Sequence, residues 1–424
     1  MAARPHRDHS EPPPGAGQGP GARLSAPPAL DRLSRRLLLD RLARLSSGRL
    51  ALNEGVESLQ FGPGPEPAAR LIVRDPRFYR SVVLGGHLGA VEAYLDGWWD
   101  TDDLTALVRV MVQNRDVLDS LETGWARLAS PVRRAWHAWR RNSRGGSRRN
   151  IAAHYDLGND FFAAFLDDTL TYSCGVFERP DSSLREASLA KYERLCRKLE
   201  LGPADHVVEI GSGWGGFALH AAGTRGCRVT TTTISREQYR LAVERVAAAG
   251  LASRVTVLLQ DYRDLTGRYD KLVSIEMIEA VGHAFYRTFF RKCAELLEPG
   301  GRMALQAITI DPRFYHRARR EVDFIKRYIF PGSNIPSVPV LREAAERTAR
   351  LALVHLEDIT PHYAETLKRW RENFLARWDR LRALGFSEQF RRLWEFYFCY
   401  CEGGFRERFL GDVQMLFVRE PTQA

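Results

Sequence analysis

No run of apolar residues in this chain reaches the roughly 18 to 20 positions that span a bilayer, and its N-terminal stretch holds no hydrophobic segment resembling a signal peptide. Those two absences exclude a transmembrane anchor within the sequence read and predict a cytoplasmic protein. Cysteine is scarce. Cys174, Cys196, Cys227, Cys293, Cys399 and Cys401 are scattered and form no CxxC pair, which excludes a disulfide-stapled scaffold and predicts reduced thiols and no metal site. Acidic residues are missing altogether between Glu122 and Asp156, an interval crowded by Arg127, Arg133, Arg134, Arg140, Arg141, Arg144, Arg148 and Arg149.

What is present suits a globular protein of two or three domains, with 424 residues of which 44% are hydrophobic. A net charge of +10 implies an anionic partner, either nucleic acid or a phospholipid surface. Residues 1–29 are rich in Pro and Gly without periodic apolar positions, so they are expected to be a disordered tail. Over 30–120, helical patterning ("LDRLSRRLLLDRLARL") alternates with strand-like runs ("SLQFG", "ARLIVRD"), which predicts a small α+β domain.

Residues 121–150 form a basic connector. Within it Ser130-Pro131 resembles a helix start, Val132, Ala135, Trp136 and Trp139 share one face, and arginine fills the other. Such a helix suits an anionic lipid interface, its rings at headgroup depth and its cations on phosphates. A linker helix that packs its tryptophans on a neighbouring domain is the plain alternative. From 151 to 424, "HVVEIG", "CRVTTTTI", "RVTVLLQ", "KLVSIE", "RMALQAI" and "DVQMLFVRE" alternate with helical stretches, which predicts an α/β domain built on a doubly wound, mostly parallel sheet. Between about 311 and 405 a long aromatic-rich helical stretch interrupts the pattern.

The stretch "VVEIGSGWGGFALHAA" reads as strand, glycine turn and helix, with Gly211, Gly213 and Gly216 in GxGxxG spacing. A nicotinamide site would carry an acidic residue at the end of the second strand, and here that strand ends in "TTTTIS". The acid instead precedes the turn, as Glu209. This arrangement resembles the E/DxGxGxG motif of S-adenosylmethionine-dependent methyltransferases, in which it accommodates the methionine portion of the cofactor; "LLQDY" resembles their adenine-contacting segment. A nucleic-acid methyltransferase would show an "NPPY"- or "PC"-like motif after the fourth strand. That position reads "SIEMIEAVG", so no nucleic-acid substrate is expected.

Further stretches resemble the cyclopropane-fatty-acyl-phospholipid and mycolic-acid cyclopropane synthases: "GAVEAYLDGWWDTDDL", "AAHYDLGNDFFAAFLDDTLTYSCGVFE", "TTISREQ", "LQDYRDL", "KRYIFPGSNIPSV", "HYAETLKRWRENF" and "YCEGGFRER". The resemblance implies a Rossmann-like methyltransferase fold with a mostly parallel seven-stranded sheet, a helical insertion, and the extra N-terminal domain of the phospholipid-acting branch. It implies methyl transfer from S-adenosylmethionine to a cis double bond of an acyl chain, through a carbocation that loses a proton as a ring closes. It also implies a bound bicarbonate as proton acceptor, held at positions matched here by Cys174 (as a structural rather than nucleophilic residue), Glu279, the backbone of Ile308, and Tyr363. The fifth position departs from the pattern: Gln306 stands in "LQAIT" where ring-forming members carry histidine in an "HTI"-like stretch. An amide can seat an anion but cannot relay a proton near neutrality. Ring closure is the first reading, since four positions are kept; a methylene or methyl-branched chain from the same cation is the alternative. A non-catalytic lipid-binding protein is a third.

The same resemblance places Tyr172 and Ser173 over the methionine end of the cofactor, with Gly211, Gly213 and Gly215 lining the turn. Thr233, Ile234 and Gln238 are expected at the ribose, Asp261 and Tyr262 at the adenine, and Tyr155 nearby. Expected partners are unsaturated phospholipid acyl chains, the anionic inner face of a membrane through 121–150, and a second copy of the chain.

Overall fold

The structure, a computed structural model, describes residues 28–119 and 157–421. It opens with helix α1 (Ala29–Leu42) and strands β1 (Arg49–Glu54), β2 (Glu57–Phe61) and β3 (Ala68–Val73). Helix α2 (Arg77–Leu95), strand β4 (Trp99–Thr101) and helices α3 (Leu104–Gln113) and α4 (Arg115–Asp119) follow. The strands form a sheet in the order β2-β1-β3-β4, with β1 antiparallel to β2 and parallel to β3. Strand alternation supplies its inner face: Leu50 and Leu52 of β1, and Ala69, Leu71 and Val73 of β3, are buried. Asp103 caps α3 by accepting from the backbone N–H of Ala106 at 2.9 Å.

The second part runs through α5 (Asn159–Ala163), α6 (Leu184–Leu199), β5 (His206–Ile210), α7 (Gly216–Arg225), β6 (Arg228–Thr233), α8 (Arg236–Ala248) and β7 (Val255–Leu259). Strand β8 (Tyr269–Ile275), α9 (Tyr286–Leu296) and β9 (Leu297–Ile310) complete the alternation. After them come α10 (Pro312–Ala318), a π-helical turn (Ile325–Ile329), α11 (Val338–Ala349), β10 (Leu351–Asp358), α12 (Thr360–Ala376), α13 (Trp378–Ala383), α14 (Glu388–Arg406) and β11 (Leu410–Arg419). The strands make a seven-stranded sheet in the order β10-β11-β9-β8-β5-β6-β7, parallel from β9 to β7 and antiparallel at β11 and β10.

Both faces of this sheet are covered, so its central strands read as continuous apolar runs. Val207 and Val273 point to the layer of Tyr192, Leu195 and Phe217, while their neighbours Val208 and Leu272 point to the layer of Phe289, Phe290 and Leu341. One expectation needs correction. The stretch read as helical between 311 and 405 contains the strand β10, on the sheet edge beside β11. Beyond the buried Leu351 its residues are half-buried or exposed, Val354 and Leu356 among the exposed, so the apolar signal of a buried strand is weak there.

The two parts share one core. Leu50, Phe78, Val82 and Tyr94 of the first belong to the same buried cluster as Phe165, Trp370, Trp394 and Phe398 of the second. Polar contacts fasten α3 and β4 to α14: Arg109 pairs with Glu407 at 2.6 Å, and Arg392 donates to the carbonyls of Tyr94 and Trp99 at 2.7 and 3.0 Å.

Candidate active site

The carboxyl ends of β5, β6 and β8 open onto a crevice beside the point where strand order reverses, the usual seat of a ligand in an open parallel sheet. The glycine turn after β5 lies there, with Gly211, Gly213 and Gly215 all in the left-handed region at φ 96°, 49° and 88°. A Cβ on Gly211 would meet Met277 at 3.1 Å. Gly215 belongs to the turn, starts α7 and faces Ala242 of α8, and its neighbours Trp214 and Gly216 are at the cavity wall. Gly216 permits a close approach of another kind, since a Cβ there would fall 2.4 Å from the hydroxyl oxygen of Tyr192.

Around this turn stand the other residues expected to hold the cofactor. Glu209 accepts from Thr231 Oγ1 at 2.6 Å, and burial pushes its carboxyl up to about 8. Thr233 donates to Gln238 at 2.8 Å, fixing the amide at the start of α8. Asp261 forms a two-pronged pair with Arg263 at 2.8 and 2.6 Å, and Tyr262 is beside it. Ser173 accepts from the buried Lys191 at 2.5 Å, and Tyr172 bonds Tyr397 through their hydroxyls at 3.1 Å. Glu209, Gly211, Gly213, Thr233, Ile234, Gln238, Asp261, Tyr262, Tyr172 and Ser173 all line one cavity. These donors, acceptors and bare glycine backbone fit an adenosyl amino-acid cofactor. Tyr155 and the basic stretch 121–150 lie outside the described residues.

That cavity, about 590 Å³, is within the range of small-molecule sites. It continues from the crevice past Glu276, Glu279, Ile308 and Tyr363, between Phe330 and Tyr397, and on to Leu38, Leu50, Phe78, Val82 and Met111 of the first part. Its lining is polar around the cofactor crevice and mainly apolar where the first part of the chain contributes, with His87 and Arg115 the polar members there.

Between the two ends is a cluster of carboxyl groups with Glu276 at its centre. Oε1 of Glu276 accepts from the backbone N–H of Cys174 at 2.8 Å and from Gln306 Nε2 at 2.7 Å; Oε2 accepts from the Tyr363 hydroxyl at 2.6 Å. Glu279 accepts from the backbone N–H of Ile308 at 2.6 Å, while its Oε2 is buried with no hydrogen-bond partner. Burial, then the charge on Glu276, pushes the Glu279 carboxyl up to about 8. The same two causes, with Glu279 added, hold Asp412 well above the usual carboxylate range. Burial raises the Cys174 thiol far above its ordinary value, so it is not a nucleophile at neutral pH.

Gln306 is fully buried behind the cavity wall. An amide at this position could seat a free anion; here it serves Glu276, and its orientation is set from behind. Lys198 donates to Gln414 Oε1 at 2.6 Å, and Gln414 Nε2 donates to Gln306 Oε1 at 3.0 Å across the β9–β11 pairing. Sequence reading missed Glu276, Asp412, Gln414 and Lys191. For Glu276 a signal existed, a charged residue directly after the apolar strand β8, at the carboxyl end where ligands gather. For Asp412 and Gln414 the signal was polar residues at alternate positions inside the apolar "DVQMLFV".

Residues 142–415 match the family model described as mycolic acid cyclopropane synthetase. The tuberculostearic acid methyltransferase of Mycobacterium tuberculosis is 40% identical over 390 residues, 90% of each chain. The cyclopropane-fatty-acyl-phospholipid synthase of Escherichia coli is 35% identical over 367 residues, covering 83% of this chain and 88% of its own. Among solved structures, the mycolic acid cyclopropane synthase CmaA1 complexed with SAH and CTAB superposes with a TM-score of 0.60 at 33% identity, over 64% of this chain and 98% of its own.

Proposed function

The chain belongs to the mycolic acid cyclopropane synthetase family, and from that premise we propose that it methylates the cis double bond of an unsaturated acyl chain carried by a phospholipid. The coarse activity is that of an S-adenosylmethionine-dependent methyltransferase acting on fatty acyl chains. When bound, S-adenosylmethionine supplies an electrophilic methyl group on a sulfonium. The observation that carries the finer reading is the single cavity joining the glycine turn to an apolar channel, with the carboxyl cluster between them.

An isolated alkene is a weak nucleophile, so rate must come from holding it in line and from excluding water. The channel residues do both. Phe330, Tyr397 and Tyr172 present aromatic surface where positive charge develops on the acyl chain, and ring faces stabilise a cation. Leu50, Phe78 and Val82 offer the tail an apolar seat. The first part of the chain is thus read as a wall of the substrate channel.

Of the two products, the branched chain is favoured by the relative named for tuberculostearic acid, which is 40% identical over 90% of each chain. Ring closure stays as the second reading, because Cys174, Glu279, Ile308 and Tyr363 meet around one carboxylate cluster and the E. coli relative is a cyclopropane synthase. Among the described residues no helix is long and apolar enough to cross a membrane; access to lipid at the inner face is assigned to the basic stretch 121–150. Incubation with labelled S-adenosylmethionine and either monounsaturated phospholipid vesicles or RNA tests the reading. Label is expected in extracted acyl chains, with vinylidene or vinylic-methyl protons for the first product and cyclopropyl protons for the second. Label only in RNA, or in neither, overturns it.

A further inference from the structure

The family resemblance calls for a free bicarbonate, and the groups matched to its seat are already engaged. The N–H of Cys174, the amide of Gln306 and the hydroxyl of Tyr363 all converge on Glu276, and the N–H of Ile308 is used by Glu279. An additional anion would find no free donor among these and would lie against two carboxyl groups. The residues present do not fit a bicarbonate.

We infer that the carboxylate of Glu276, held in that seat, is the group that takes the departing proton, and that the protein works without bicarbonate. The inference rests on the alkene-methylation reading above. Three observations support it independently of each other. Glu276 reaches the cavity wall, so a substrate carbon can approach it. Its Oε1 accepts from the Cys174 N–H and from Gln306, its Oε2 accepts from Tyr363, and Asp412 is a further hydrogen-bonding neighbour, so the carboxylate is fixed in place with accepting capacity directed at the cluster. Its backbone sits at φ 47°, in the left-handed region that a non-glycine residue adopts at a cost, and such local cost persists where surrounding contacts over-determine a side chain at a working site.

The step balances without a further reagent. The alkene electron pair forms the bond to the methyl carbon while the bond from that carbon to sulfur breaks and leaves its pair on sulfur; the neighbouring acyl carbon becomes cationic. A C–H bond of the cation then breaks, its pair closes the ring or forms the new double bond, and the proton forms an O–H on Glu276. Burial and the neighbouring Glu276 push Glu279 up to about 8 and raise Asp412 as well, directions that limit the negative charge gathered in the cluster. The carboxylic acid returns its proton to solvent when product leaves.

Nuclear magnetic resonance of isotope-labelled bicarbonate, titrated with the full-length protein, reads the seat without any need for turnover. Wild type is expected to bind none, and Glu276→Gly, which vacates the seat, to acquire binding. In carbonate-free buffer wild type should keep its rate, and Glu276→Gln should lose about 10²-fold or more while still binding the cofactor. Added bicarbonate should raise the rate of Glu276→Gly and leave Glu276→Gln unchanged. Stoichiometric bicarbonate binding by wild type overturns the inference, as does a roughly tenfold fall of its rate without carbonate or full activity of Glu276→Gln. A wild type that methylates no lipid sinks the functional reading instead, and the titration still decides whether the seat is filled.

Discussion

Gln306 donates to Oε1 of Glu276 at 2.7 Å, and the direction of that bond is set three residues away. An amide side chain can face either way. Here Lys198 can only donate, so Gln414 must turn its oxygen toward Lys198 and its nitrogen toward Gln306, and Gln306 in turn must offer its nitrogen to Glu276.

Lys198 is consequently a positioning residue for a carboxylate it never touches. Replacing it by Met frees the Gln414 amide to flip, leaves Gln306 able to present its oxygen to Glu276, and should cost about 1–3 kcal/mol in unfolding free energy. A purely structural role would stop there. The relay predicts in addition a lower kcat at unchanged cofactor KM and a shifted pH–rate profile, with Lys198→Arg restoring part of both; unchanged kinetics would remove the relay from the mechanism.

Two buried acids give stability a definite pH dependence. Glu209 and Glu279 each rise from 4.5 to about 8 on folding. A raised carboxyl contributes stability that is fully present below about 4.5 and lost as pH climbs through about 8. Across that window each group should remove about 1.4 kcal/mol per pH unit at most, with the loss levelling off above it. Denaturant unfolding of the cofactor-free protein at several pH values checks this, and Glu209→Gln should flatten the slope by one group's share. An equal slope in that variant would mean Glu209 is ionised in the free protein.

Gly216 illustrates what could be read in advance and what could not. The strand, glycine turn and helix were legible because a continuous apolar run must be a buried strand and glycines at that spacing must open a turn. The partner of Gly216 is Tyr192, in α6, which no local pattern connects to it. Likewise Cys174, Glu279, Ile308 and Tyr363 were legible as a set, while the residue they surround was not. Glu276 owes its place to β8 and β9 being adjacent and to the left-handed turn of its backbone, and pairing order and a single φ angle leave no periodic trace in sequence. Strand β10 was lost for a related reason, an exposed edge lacking the apolar run of a covered strand. Gly216→Ala should cost about 1–3 kcal/mol through its clash with Tyr192, measured by thermal unfolding with and without cofactor. A neutral result would show that Tyr192 can move.

The arginine-rich stretch 121–150 predicts salt-sensitive membrane association. Each arginine near an anionic surface contributes about 1 kcal/mol, so changing Arg133, Arg134, Arg140 and Arg141 together to Ala should nearly abolish sedimentation with anionic vesicles at low salt. The rate on detergent-dispersed lipid should be kept, since dispersal removes the need for recruitment to a charged surface. Unchanged sedimentation would assign the stretch to packing on a neighbouring part of the protein.

Met111 tests whether the first part of the chain is a wall of the substrate channel. It lies in α3, half-buried, on the part of the cavity wall that the first part of the chain contributes. If an acyl tail ends there, Met111→Trp shortens the channel while leaving the cofactor crevice and the carboxyl cluster untouched. An apolar pocket discriminates by about 1–3 kcal/mol per methylene, so competition between long and short monounsaturated chains should shift by roughly tenfold or more toward the short one. Cofactor affinity should not change. If the ratio of products from a chain mixture stayed the same, the apolar region beside Leu50 and Val82 would be interior packing, and the tail would have to leave the carboxyl cluster by another route.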